Sequence, residues 1–212
     1  MAGPKYIAIE GVIGAGKTTL ATILADRLTA ELKLEEVEEN PFLSKFYDDM
    51  RGYAFQTQIF FLLSRYRQQR ELAQTSLFAQ RVISDYMFAK DRIFAYINLN
   101  DDELMLYEKL VEILEKDIVS PDVVIYLQAS TDVLMERIHK RGRPFERNMP
   151  REYIETLNQA YNHFFFHYDD SPLIIVNTDS LDLPRSEDDI QKLLEMIETH
   201  TKGTIYYSGG GR

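Results

Sequence analysis

Lys5-Tyr-Ile-Ala-Ile-Glu-Gly11-Val-Ile-Gly14-Ala-Gly16-Lys17-Thr18-Thr19 joins two signals within fifteen residues. Residues 5–11 read as a strand, with Tyr6-Ile-Ala-Ile9 apolar on consecutive positions, the pattern of a strand covered on both faces. Residues 11–18 fit G-x-x-x-x-G-K-[ST], and a helical period starts at residue 18. Glycines there let backbone N–H groups converge on phosphate oxygens, and a helix N-terminus adds partial positive charge. In such a loop the lysine, here Lys17, reaches the β/γ-phosphates, and the hydroxyl, here Thr18, ligates Mg²⁺. Gly11, Val12, Ile13, Gly14, Ala15, Gly16, Lys17, Thr18 and Thr19 are therefore the expected ATP-binding segment.

Outward from this stretch, four further short apolar runs read as strands: 33–37, 81–85, 122–129 and 173–177. Helical periods fill 18–32, 54–74, 101–119, 131–140, 150–168 and 187–199. Strand and helix alternate, which predicts an α/β fold with about five parallel strands flanked by helices. Residues 1–202 are expected to form one P-loop domain and 203–212, ending Ser208-Gly-Gly-Gly-Arg212, a flexible tail.

Composition narrows the chemistry. With 24 Lys+Arg against 34 Asp+Glu the net charge is −10, which argues against coating nucleic acid or an anionic membrane. Zero cysteines remove thiolate nucleophiles, disulfides and thiolate zinc sites, and four histidines with no HExxH make a zinc enzyme a poor reading. No run approaches the ~20 apolar residues of a membrane span, and Met1-Ala-Gly-Pro-Lys5 lacks the pattern of a leader, so a cytoplasmic location is expected.

Asp85 closes the run Arg81-Val-Ile-Ser-Asp85. Parallel-strand C-termini gather on the ligand side, so its carboxylate is a candidate for Mg²⁺ beside Thr18. On the helical stretch 54–74, Gln58 and Arg65 are seven apart and share a face, an amide and a guanidinium able to read a base edge. Residues 137–147 hold five Lys+Arg against one acid, so this segment carries +4 and the rest of the chain −14. Such a patch suits a polyphosphate.

These residues resemble the deoxynucleoside kinases, particularly the bacterial deoxyadenosine/deoxyguanosine kinase branch, over nearly the whole length from Lys5 to about Thr199. The segment Leu34-Glu35-Glu36-Val37-Glu38-Glu39-Asn40-Pro41-Phe42 stands where the family has an acidic segment leading into Asn-Pro-Phe. By that match Glu35 is the general base for the nucleoside 5′-hydroxyl, with Glu36 standing where the family usually has proline. The resemblance further implies that Gln58 pairs with the nucleobase, Arg65 contacts it and Asp91 braces Arg65, Gln56 being the alternative if the helix is two residues out of phase. It implies that Tyr47 and Glu146 take the sugar 3′-hydroxyl, and that Arg137, Arg141 and Arg143 form a lid around the transferring phosphoryl. Where most relatives carry acid-Arg at the end of the third strand, this chain has Asp85-Tyr86, so a lid arginine or Lys90 is left to supply the charge.

What the resemblance implies is ATP- and Mg²⁺-dependent phosphorylation of a deoxynucleoside at the 5′-hydroxyl, purine favoured, by a cytoplasmic salvage enzyme, a homodimer with the apolar run Phe60-Phe61-Leu62-Leu63 in need of cover. The alternatives are a nucleoside monophosphate kinase similar to thymidylate kinase, or a P-loop module that binds nucleotide without transferring phosphate.

Overall fold

The computed structural model describes residues 3–75 and 81–209. Among them, six parallel strands form one sheet in the order β2-β3-β1-β4-β5-β6. The strands are β1 (Tyr6–Gly11), β2 (Glu31–Lys33), β3 (Val82–Ser84), β4 (Val123–Gln128), β5 (Leu173–Asn177) and β6 (Thr204–Tyr207). The helices are α1 (Lys17–Leu28), α2 (Leu43–Asp48), α3 (Met50–Thr75), α4 (Lys90–Asn98), α5 (Asp101–Leu114), α6 (Thr131–Arg141), α7 (Arg151–Phe166) and α8 (Glu187–Thr199). The α/β expectation holds, with a sixth strand added to the sheet.

That sixth strand is the main departure. The stretch 203–212 was expected to be a flexible tail, yet Thr204–Tyr207 pairs in parallel with β5, and the Tyr207 hydroxyl donates to Asp189 of α8. The sequence Thr-Ile-Tyr-Tyr is rich in β-branched and aromatic residues, a strand signal masked by the glycines that follow it. Residues 210–212 lie outside the described residues.

All six residues of β1 are buried, and Ile7, Ile9, Ile125, Leu127, Ile174 and Val176 from three adjacent strands stack into the centre of the sheet. Consecutive apolar residues form a strand here because helices cover both faces. The strand read over 33–37 is instead Glu31–Lys33. The chain leaves the ladder at residue 34, and the Glu35 N–H turns to the Asp85 carboxylate. Two helices carried no separate prediction: α2, of six residues, and α4, directly after β3.

A satellite cluster of Leu62, Phe88, Ala95, Tyr107 and Val111 ties α3, α4 and α5 together beside the main core. Helix α5 starts on a capping box, in which Asn100 accepts the Glu103 N–H and Glu103 accepts the Asn100 N–H. Among the described residues no helix is long and apolar enough to cross a membrane.

Candidate active site

The loop after β1 wraps the start of α1. Gly14 and Gly16 have φ of 89° and 98°, in the left-handed region that favours glycine, and a Cβ on Gly14 would lie 2.9 Å from the Leu134 carbonyl oxygen. Lys17 folds back over the loop and donates to the carbonyls of Gly11 at 2.7 Å and Val12 at 3.3 Å. Burial, aided by the nearby Lys90 ammonium, lowers its pKa to about 8.

The Thr18 hydroxyl donates to one oxygen of Asp85, whose other oxygen accepts the Glu35 N–H at 2.8 Å. One carboxylate at the end of β3 thus fixes both the first turn of α1 and the segment that carries Glu35. Two hard oxygen donors placed together suit Mg²⁺, which is held by one or two carboxylates plus substrate phosphates. His163 of α7 and His167, which caps the end of that helix, have rings 4.5 Å apart, and no group of three His, Cys, Asp or Glu that could hold a metal occurs among the described residues.

Glu35 sits in a cleft lined also by Lys17, Thr18, Gln58, Arg65 and Lys90. One of its oxygens accepts from Arg65 Nε at 2.9 Å and Nη2 at 2.6 Å, and the other from Lys90 Nζ at 2.7 Å. Burial works to raise its pKa, but Lys90, Arg65 and Lys17 together outweigh it and hold the carboxyl well below the usual carboxylate range. Glu36 points outward to Arg67, whereas Glu35 lines the cleft.

The base-reading candidates converge on Asp91. Arg65 Nη1 donates to Asp91 Oδ1, and Gln58 Nε2 donates to Asp91 Oδ2 at 2.8 Å and to its backbone carbonyl at 2.9 Å. Gln56 is exposed, whereas Gln58 is buried and lines the cleft. The Asn-Pro-Phe segment is anchored to the same helix through Asn40, whose Nδ2 donates to the Thr57 carbonyl at 3.1 Å.

Facing α3 is the basic segment. Arg141 Nη2 reaches Glu146 Oε1 at 2.6 Å, and Arg143 Nη1 lies 3.9 Å from the same oxygen. Tyr47 stacks on Phe145, with centroids 6.3 Å apart and planes within 8°. Arg141, Arg143, Glu146 and Tyr47 all line the cleft. Arg137 does not: its guanidinium donates to the Thr178 hydroxyl at 2.9 Å and carbonyl at 2.7 Å, and lies 3.5 Å from the Ala15 carbonyl of the loop. Residue spacing alone groups it with the other arginines, but it is one helical turn earlier on α6 and so faces the end of β5.

At the Asp85-Tyr86 departure, the Tyr86 side chain is fully buried and Lys90 lies 5.9 Å above its ring with its ammonium on Glu35. Lys90 also faces Glu10 at 3.8 Å, and Glu10 accepts the N–H groups of Gly11 and Met87. Sequence reasoning found Lys90 only through the missing arginine. It missed Glu10 and Tyr107, which look in the sequence like an acid in a strand and an aromatic in a helix.

The deoxynucleoside kinase family model matches residues 7–202. A deoxyguanosine kinase of Bacillus subtilis (strain 168) is 38% identical over 205 residues, 94% of this chain and 97% of that one. A deoxyadenosine kinase of Lactobacillus acidophilus is 32% identical over 210 residues, 92% of this chain and 95% of that one. The structure of deoxyadenosine kinase from M. mycoides with bound dATP superposes with a TM-score of 0.79 at 32% identity, covering 90% of this chain and 99% of that chain. A chain matched over this much of its length, in sequence and in fold, belongs to the deoxynucleoside kinase family.

Proposed function

We propose that this deoxynucleoside kinase moves the γ-phosphoryl of ATP to the 5′-hydroxyl of a deoxynucleoside, purine favoured, with Glu35 accepting the hydroxyl proton. The observation that carries this reading is the position of Glu35: its carboxylate is inside the cleft, between the Lys17–Thr18 end and the Gln58–Arg65–Asp91 cluster. A nucleoside whose base reaches Gln58 and Arg65 points its sugar back toward Glu35 and the P-loop.

In this reading the backbone N–H groups of 11–19 and Lys17 hold the donor phosphates, Arg141 and Arg143 face the transferring group, and Arg137 holds the loop through the Ala15 carbonyl. Mg²⁺, when bound by Thr18 and Asp85, would neutralise charge on the β/γ-oxygens. Lys90 supplies the cation beside Glu35 that Tyr86 cannot. Tyr47 and Glu146 stand together at the lid to receive the 3′-hydroxyl. Since phosphoryl transfer has a loose transition state, positioning and charge stabilisation carry most of the acceleration.

The homodimer belongs to the same proposal. Leu63 on α3 and Met105, Leu106 and Ile113 on α5 are exposed, so one side of the helical layer is apolar enough to be covered by a second copy.

A panel of deoxyadenosine, deoxyguanosine, deoxycytidine, thymidine and their 5′-monophosphates, each with ATP and Mg²⁺, tests the reading. Monophosphates formed from the purine deoxynucleosides are expected. Diphosphates formed from the monophosphates would replace this reading with that of a nucleoside monophosphate kinase.

A further inference from the structure

Asp91 is almost completely buried and does not line the cleft, yet three helices meet on it. Gln58 and Arg65 come from α3, Asp91 lies in α4, and the third contact is from α5: the Tyr107 hydroxyl donates to Asp91 Oδ2 at 2.8 Å. Tyr107 is fully buried in the satellite cluster with Leu62 and Val111, so its ring is fixed by packing and its hydroxyl by the carboxylate.

The hydrogen-bond accounting gives this contact a consequence. Both partners of Gln58 Nε2, the Asp91 carbonyl and Asp91 Oδ2, can only accept. The amide orientation is therefore dictated chemically: its two hydrogens are taken, and Oε1 is the atom left for a base. Gln58 then offers the base an acceptor alone, which suits an edge carrying N–H at that position. The Asp91 carbonyl keeps Nε2 on this side by itself, but both hydrogens stay taken only while Asp91 Oδ2 stays where it is. Arg65 holds the other oxygen, and a carboxylate pinned at one oxygen can still turn about the bond that carries it.

We propose that Tyr107 is a specificity-determining positioning residue, which fixes the Asp91 carboxylate and through it the hydrogen-bonding groups that the Gln58 amide offers the nucleobase. The inference rests on the reading of Gln58 and Arg65, braced by Asp91, as the base-contacting set. Tyr107 touches no substrate itself. Without its hydroxyl, Asp91 Oδ2 keeps Gln58 as its single partner, the carboxylate turns more freely, and one hydrogen of Gln58 Nε2 is released toward the base while the other stays on the Asp91 carbonyl. Bases that offer a donor and bases that offer an acceptor are then separated less well.

The experiment measures kcat and KM for deoxyadenosine, deoxyguanosine and deoxycytidine in the parent, Tyr107→Phe and Gln58→Leu. For Tyr107→Phe the ratio of kcat/KM between the best and second-best base should shrink ~10-fold, mainly through a higher KM for the best base, with KM for ATP unchanged. A purely structural tyrosine would instead lower all three kcat/KM values by one common factor or leave them alone, and either result overturns the inference. If Gln58→Leu collapses the ratio while Tyr107→Phe keeps it, the role of Tyr107 falls and the base-contacting set stands. If neither variant alters the ratio, the set itself falls and the inference with it. Should Tyr107→Phe not fold, Asp91→Asn probes the same contact from the other side: its amide cannot accept from all three donors, and an unchanged ratio there overturns the inference too.

Discussion

Glu35 is held by three separate donors, and that explains how a carboxylate can sit in a cleft and stay charged. An isolated buried carboxylate would take up a proton, because burial penalises the charged form. Arg65 and Lys90 supply two opposing charges at ion-pair distance, one on each oxygen. A group held so far below the ordinary range is a weak base toward a free hydroxyl, so in the proposed role Glu35 would act chiefly in the transition state, where the attacking oxygen has begun to lose electrons to phosphorus. Lys17→Ala should lower kcat by ~10²–10³-fold, the range for loss of one fixed charge-stabilising donor, while the affinity for deoxynucleoside, measured by equilibrium binding, stays near that of the parent. Lys17 and Thr18 could be read from the sequence because the P-loop pattern prescribes residue type at fixed spacing, and Asp85 because it closes an apolar strand on the ligand side. Tyr107 could not, since its role depends on a contact across sixteen residues and two helices that no local pattern encodes.

At the scale of elements, α3 was legible as a helix over 54–74 and carries several of the site residues. Thr57, Gln58, Arg65, Gln68 and Gln69 are buried polar groups on a helix of 26 residues, so its apolar stripe is broken where the cleft begins. The same break marks it as functional, because buried polar side chains are costly unless something pairs with them. Strands β1, β4 and β5 were readable because consecutive buried residues leave a dense apolar run; β6 was not, because one edge strand with half its residues exposed is as short as a turn. Two stability predictions belong here. Leu24→Ala, at a fully buried position on the inner face of α1, should cost about 2–5 kcal/mol by denaturant titration. Truncation after residue 203, which removes β6 and the Tyr207 contact to Asp189, should lower the melting temperature by ~2–6 °C and leave the kinetic constants for ATP in place.

Over the whole molecule, charge and topology agree. The carboxyl end of β1 lies between β3 and β4 at the centre of the sheet, where open α/β sheets place ligands, and the basic segment 137–147 closes over it from α6. An otherwise acidic chain thereby gathers its positive charge where a polyphosphate would bind, and repels anions elsewhere. Chelation of divalent metal should abolish transfer and addition of Mg²⁺ should restore it, followed by product formation over a titration of EDTA. The central claim is that Glu35 takes the proton of the attacking hydroxyl, and single-turnover phosphoryl transfer by Glu35→Gln to the best deoxynucleoside tests it most directly. The account predicts a rate lower by ~10²–10⁴-fold with ATP still bound at parent affinity; a Glu35→Gln protein transferring at the parent rate would contradict it.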